Sequence, residues 1–193
     1  MAAAFDYLTF SLERGRAAHE RLGERLVETA PQALIAQFAP QLGWAANEAA
    51  ALVTGEIAEA ALQGPPIAAI QKRRLSPTVR PTGAARPRPG GIHVHRWFVV
   101  KSGDVDEFVS LSQQAWPSFE AQFAASIFGL FRAQETDAER AAGETSLLLL
   151  TRYHDHGVWE ASRDPTTDAM QIFQRRQSLT LRTRACSSLL VGV

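Results

Sequence analysis

The chain has 193 residues, twenty basic and twenty acidic, of which 46% are hydrophobic and 21% charged. That is the make-up of an ordinary globular protein with enough apolar side chain for a real core, in one large domain or two small ones. A net charge of zero offers no general field for nucleic acid or an anionic membrane, so neither is expected as a partner, and the lone Cys186 excludes an internal disulfide framework.

No basic segment followed by an apolar run opens the sequence, and no stretch approaches the ~20 apolar residues of a membrane span, so a cytoplasmic location is expected. Phe5 to Leu12 reads as a half-buried strand, with Leu8, Phe10 and Leu12 alternating with Tyr7, Thr9 and Ser11 before a turn at Arg14-Gly15. From Ala17 the pattern is helical, with Leu22 and Leu26 four apart, and Pro31 interrupts or restarts the helix towards Phe38. Gln41 to Ala46 and Ala50 to Ile57 read as a strand pair. Gly64-Pro65-Pro66 is a turn, and Ile67 to Arg74 is too short for periodicity to separate helix from strand.

Four prolines and three glycines between Ser76 and Gly91 oppose regular structure, and their arginines keep the segment solvated. It is read as a linker over residues 76–91, between a first unit, 1–75, and a second, 92–193. The second unit opens with a strand from Ile92 into Gly103. A capping box of Asp104 and Glu107 then starts a helix that ends near Trp116-Pro117. Ser126 to Phe131 is a strand, Asp137 to Glu144 a charged loop, and Ser146 to His154 a central strand whose leucine run fits burial on both faces. A helix after Asp164-Pro165 and a short last strand at Leu189-Leu190-Val191 complete a β-α-β-β-α-β order.

The first unit echoes the second. Leu12-Glu13-Arg14-Gly15 lies over Val100-Lys101-Ser102-Gly103, and Ala36-Gln37-Phe38-Ala39 recurs as Ala121-Gln122-Phe123-Ala124, with the second helix of the first copy short. A β-α-β-β-α-β unit is an antiparallel ferredoxin-like sheet with helices on one face, and its bare face needs a partner. The fold class predicted is therefore α+β: tandem ferredoxin-like repeats whose sheets pack face to face as a barrel with helices outside.

On the strand from Ile92, alternation sets Ile92, Val94, Arg96, Phe98 and Val100 under helices and turns His93, His95, Trp97 and Val99 inward. His154 and His156, on the neighbouring strand, would then approach His93 and His95. That is either a transition-metal ligand set or four solvated strand-end histidines, and no metal is assigned. Arg96 calls for a carboxylate or a helix C-terminus, and Arg175, Arg176, Arg182 and Arg184 read as a solvated helix face.

Arg96-Trp97-Phe98-Val99-Val100-Lys101-Ser102-Gly103, Phe128-Gly129-Leu130-Phe131-Arg132, Leu149-Thr151-Tyr153 and Arg163-Asp164-Pro165 resemble the NIPSNAP-like members of the dimeric α/β-barrel superfamily. Val94 and Phe98 stand where that family tends to have an acid and a tyrosine. The resemblance implies a barrel of uncharacterised activity that binds a small hydrophobic molecule or a protein partner, with a second copy of the chain as a further possible partner and no cofactor. Arg96, Phe98 and Tyr153 are the family-matched residues. Tyr7, His95, Trp97, Arg152 and His154 are the ligand-binding candidates, and His93 and His95 the candidate bases. Relatives in the superfamily imply two alternatives: a cofactor-independent monooxygenase or isomerase acting on an aromatic or polyketide-like substrate, and a haem or metal protein. A barrel filled with side chains would oppose the ligand readings.

Overall fold

The alternation of β1 (Phe5–Leu12) is the plan of the whole molecule. Leu8, Phe10 and Leu12 pack under Leu22 and Leu26 of α1 (Ala18–Thr29), while Phe5 and Tyr7 point the other way, into a second cluster. The chain, seen in a computed structural model that describes residues 4–15, 17–55 and 57–191, continues through β2 (Leu34–Leu42), β3 (Glu48–Thr54), β4 (Ile67–Pro77) and β5 (Ile92–Lys101). Then follow α2 (Val105–Gln122), β6 (Ala125–Ala133), α3 (Asp137–Ala142), β7 (Glu144–Tyr153), α4 (His156–Ala161), α5 (Asp168–Ser178) and β8 (Thr180–Leu190).

The eight strands are antiparallel and close into a barrel in the order β1-β3-β2-β8-β5-β7-β6-β4. Each half has the ferredoxin-like arrangement, β4-β1-β3-β2 and β8-β5-β7-β6. The halves join where Phe38 faces Leu190 and where Leu75 faces Ala133. Closure leaves no open sheet edge. The fold is the expected α+β barrel with its helices outside. Inside lie Phe5, Tyr7, Phe38, Leu52, Phe131, Leu148 and Leu150. Outside, α2 and α5 cover Val94, Phe98, Val100, Leu147 and Leu149. In the first half, a single 3-10 turn over Glu59–Leu62 replaces the second helix. No described helix is long and apolar enough to cross a membrane.

Several local expectations are corrected. The segment after Pro31 is β2, not helix: it is buried on both faces and bulges between Leu34 and Ala36, which erases the period of two. The pair expected at 41–46 and 50–57 is β2 with β3: the first strand lies earlier, at Leu34–Leu42, and the second, Glu48–Thr54, overlaps the expected one. Asp104 does not cap α2, because the chain enters through a 3-10 turn, Ser102–Asp104, and Asp104 is already helical. Nor does α2 stop at Pro117. The proline is on the exposed face, where water can reach the Gln113 carbonyl it leaves free, while buried Trp116 and Phe119 hold the helix to the sheet.

The charged loop over Asp137 to Glu144 contains α3, and there the capping box does form: Thr136 Oγ1 accepts from the Glu139 N–H (3.2 Å) and Glu139 Oε2 from the Thr136 N–H (2.8 Å). Thr136→Ala is expected to cost about 1 kcal/mol, read as a fall of about 2–4 °C in a thermal melt. Arg182 and Arg184 belong to β8, which is much longer than the three residues expected, and not to a helix. The Ala-Gln-Phe-Ala match also fails to superpose, since one copy lies in β2 and the other spans the end of α2. By position in the two halves, the strand equivalent to β2 is β6.

The segment read as a solvated linker is exposed over residues 82–86 and 88–90 but is anchored to the barrel at several points. Leu130 and the chain exchange bonds at Thr78 and Arg80, Pro81 lies on β6, and Pro81 and Pro87 are buried. Gly129 permits this, because a Cβ there would come within 2.6 Å of the Pro81 ring. Gly91, at φ +68, passes so close to the Tyr153 carbonyl that a Cβ would sit 2.1 Å from it.

Candidate functional site

Of the side chains expected to bind a ligand inside the barrel, Tyr7 and His95 belong to a buried hydrogen-bonded chain, and Trp97, Arg152 and His154 do not. His95 Nδ1 lies 2.8 Å from the Tyr7 hydroxyl and Nε2 2.7 Å from Ser188 Oγ, which in turn donates to the His93 carbonyl. Ser188 therefore accepts from Nε2–H, and Nδ1 accepts from Tyr7, so the neutral ring is fully used. Phe38 and Trp44 stack edge-on against it at 4.5 and 5.5 Å. Burial pushes His95 down to about 3 and holds the Tyr7 phenol well above its ordinary value.

Open space remains at the two ends of this packed layer. At one, Tyr7, Trp44, Arg73, Trp97 and Arg184 line a mouth of about 360 Å³. At the other lies a cavity of about 500 Å³ that includes His93 and Arg152. The two His-x-His pairs do not converge: His154 is exposed beside Asp155 (3.0 Å), and His156 bonds to Ser187 (3.1 Å) at the start of α4. Among the described residues, no group of three or more His, Cys, Asp or Glu is placed to hold a metal.

The more distinctive site is on the outer face of the sheet. Between β5, β6 and β7 on one side and α2, α4 and α5 on the other is a cleft of about 230 Å³, whose lining includes Arg96, Phe98, Tyr153, Arg163, Phe173 and Arg176. All three family-matched residues, Arg96, Phe98 and Tyr153, meet there. Arg96 is placed by β5, facing Leu149 on β7 and Ala185 on β8, so strand alternation drives a guanidinium under the helices. Arg176 comes from α5. It donates to Ser112 Oγ on α2 (3.1 Å), and its guanidinium carbon is 4.3, 4.9 and 5.1 Å from the ring centres of Phe173, Phe98 and Phe108. Arg163 stacks on Trp159 at 5.0 Å.

The ion pair expected of Arg96 is absent: neither Arg96 nor Arg176 pairs with a described carboxylate, and Glu107, the acid nearest in role, bonds to Arg175 instead. Burial lowers Arg96, and it lowers Arg176 to about 9 with help from Arg96. Burial raises the Tyr153 phenol, while Arg96, Ser162, Arg176 and Arg163 pull it back. A buried guanidinium without a counter-ion, as Arg176 is, costs several kcal/mol, and half-buried Arg96 bears a smaller share of the same penalty. A bound anion would offset that cost. Arg176 was read as solvated, although its position carries a signal: Ala169, Phe173 and Arg176 follow helical spacing of four and three, which puts the arginine in the buried stripe.

An eight-stranded α/β barrel of ferredoxin-like halves, with an arginine-lined cleft under the helices of its second half, is the class that fold and site define. No family model and no curated protein matches the chain by sequence. Solved structures do match. An anthrone oxidase-like protein is similar with a TM-score of 0.66 at 11% identity, covering 100% of this chain and 92% of that one. A ferredoxin-fold protein from Listeria monocytogenes, related to antibiotic biosynthesis monooxygenases, aligns with a TM-score of 0.58 at 8% identity, covering 100% and 97%. A heme-degrading enzyme from Listeria monocytogenes aligns with a TM-score of 0.53 at 6% identity, covering 95% and 97%. At such identity the likeness carries the fold and not the activity.

Proposed function

We propose that the chain binds a small, largely apolar aromatic molecule with one ionised oxygen, a phenolate, enolate or carboxylate, in the cleft under α2 and α5. The observation that carries this is that Arg176, buried, and Arg96, half-buried beneath the helices, face the cleft without a described carboxylate. The oxygen would face Arg96, Arg163 and Arg176, and the ring would lie against Phe98, Phe119 and Phe173. The NIPSNAP-like placing, which rests on Arg96-Trp97-Phe98 and Tyr153, is part of the same proposal. So are a second copy as partner and a cytoplasmic location.

The experiment is a fluorescence titration with 1-hydroxy-2-naphthoate, read through Trp159. Saturable binding is expected, and Arg96→Met should weaken it by about 10- to 100-fold, the worth of a charge-assisted hydrogen bond. Binding that ignores Arg96→Met would remove the proposal.

A second reading, a cofactor-independent oxygenase or isomerase, is supported by the same guanidiniums, which would stabilise the enolate or phenolate that such chemistry needs. The anthrone oxidase-like neighbour makes anthrone the natural probe. No imidazole or carboxylate lines the cleft, so the substrate's own acidic proton would leave to water while the arginines hold the anion. Oxygen consumption with anthrone, lost in Arg96→Met, would support this reading; binding without oxygen uptake would leave only the first. A haem does not suit the cleft: no histidine or cysteine lines it, and burial keeps the Tyr153 phenol protonated.

A further inference from the structure

We infer that the end of the barrel covered by residues 80–91 is a second binding site, separate from the arginine cleft, for the phosphate group of a small organic phosphate ester. The cavity there, about 500 Å³, lies between that segment, the starts of β5 and β6 and the end of β7. Its lining carries four guanidiniums, Arg80, Arg86, Arg88 and Arg152, against one carboxylate, Glu120. Arg80 takes both oxygens of Glu120, at 2.9 and 3.0 Å, and the Ile127 N–H takes one of them as well. The other three arginines pair with no described carboxylate. A chain with as many acids as bases has thus gathered uncompensated charge around one bowl.

Two of these three arginines are held in place. Arg86 Nη1 donates to the Leu34 carbonyl (3.0 Å) and Arg152 Nε to that of Gly90 (2.9 Å), which fixes each side chain and leaves its remaining guanidinium nitrogens free. Arg88 makes no side-chain hydrogen bond among the described residues. Buried Pro81 and Pro87 anchor the segment at two points, which lowers the ordering cost of binding. Several planar forks lining one cavity suit a tetrahedral group with three terminal oxygens better than a single carboxylate.

A second observation is independent of charge. His93, only 1% exposed, belongs to the lining, and its Nε2 is 3.1 Å from the Arg88 carbonyl. A carbonyl only accepts, so Nε2 carries the hydrogen and Nδ1 of the neutral ring is a bare acceptor, with no partner among the described residues. A bound phosphate supplies the missing proton: either its P–OH donates to Nδ1, or the dianion draws a proton onto the ring. The charged groups facing this ring are Arg80, Arg86 and Arg88 from the segment, Arg152 from β7 and Glu120 from α2, and His95 is the next titratable group on β5. Phe128 and Pro87 give the bowl an apolar side for the organic part of the ester.

Isothermal titration at pH 7.5 with phenyl phosphate, and separately with inorganic phosphate, tests the site. Phenyl phosphate is expected to bind more tightly than inorganic phosphate, with an affinity that falls as salt is added. Arg88→Gln should weaken it about 10-fold and the Arg88→Gln/Arg152→Gln pair further, with the melting temperature of Arg88→Gln unchanged, because that side chain holds nothing in the fold. Comparison of HEPES with Tris should show uptake of up to about one proton on binding, lost in His93→Gln. Arg96→Met, in the other cleft, should change none of this. Absence of heat with either probe, binding indifferent to the paired variant, or binding lost in Arg96→Met would each overturn the inference. Equal affinity for the two probes would overturn the ester.

Discussion

Acidification from pH 7.5 to 5 is expected to remove about 4 kcal/mol of stability, about 2 kcal/mol for each of two histidines inside the barrel. Burial pushes His93 down to about 4 and His95 to about 3, so both are neutral in the folded chain throughout that range. Unfolded, each titrates near 6.5. Below that value the unfolded state takes up protons that the folded state refuses, so the stability present at neutral pH falls as pH drops from 6.5 towards the folded values. The slope should approach about 2.7 kcal/mol per pH unit between pH 6 and 5, that of two protons. Glu139 acts in a lower window. Burial works to raise it, but bonds from Ser146, the Thr136 N–H and Arg73 together hold it down at about 2, so its contribution is lost only as pH falls below 4.5. Urea midpoints from pH 7.5 to 5 measure the effect, and His95→Gln, which can still bond to Tyr7 and Ser188, should halve the slope. A flat profile across that range would show that the two rings are not desolvated as described.

The same two residues show how far the sequence could be read. The alternation His93-Val94-His95-Arg96-Trp97-Phe98 assigns each side chain to the correct face of β5, because a strand with one face inside a barrel and the other under helices leaves no freedom of register. The order of elements in the second half also followed from its pattern, while in the first half periodicity leaves β4 open between strand and helix, and the closed barrel joins the two sheets as the bare faces require. What alternation could not convey was long-range pairing. Nothing around His95 announces that Tyr7, 88 residues earlier, and Ser188, 93 residues later, will occupy its two nitrogens. Nor does Arg96 reveal that no carboxylate waits above it. β2 and α3 were misread for local reasons, a strand buried on both faces and a helix of six residues that is almost wholly charged or alanine. The cleft was half legible: the strand side, Arg96, Phe98 and Tyr153, stood in the family-matched set, while the helix side, Arg176, lay hidden among arginines that differ only in which way α5 and β8 turn them.

Replacement of Arg176 by methionine is expected to make the ligand-free chain more stable, by about 2 kcal/mol, while it destroys the binding cleft. The side chain is 4% exposed and has one hydrogen bond, to Ser112, in place of the several that a guanidinium can make in water. Its three aromatic contacts return part of the desolvation cost, about 0.5–2 kcal/mol each. Burial and the neighbouring Arg96 push its pKa down to about 9, the direction of a charge that is costly to keep there. Methionine has a similar length, packs against Phe98, Phe108 and Phe173 through its thioether, and brings no charge. Ser112 loses only a donor, since its own hydroxyl already donates to the Phe108 carbonyl. For a chain of this size the gain corresponds to a rise of about 4–8 °C in melting temperature. Affinity for 1-hydroxy-2-naphthoate should fall by at least about tenfold. The opposite signs are the point of the experiment. A structural arginine would lose stability on truncation, whereas one kept for an anion lowers the stability of the empty protein and recovers the loss only when the cleft is filled. A melting temperature that drops in Arg176→Met would place Arg176 in the first class and leave Arg96 as the sole support for the cleft.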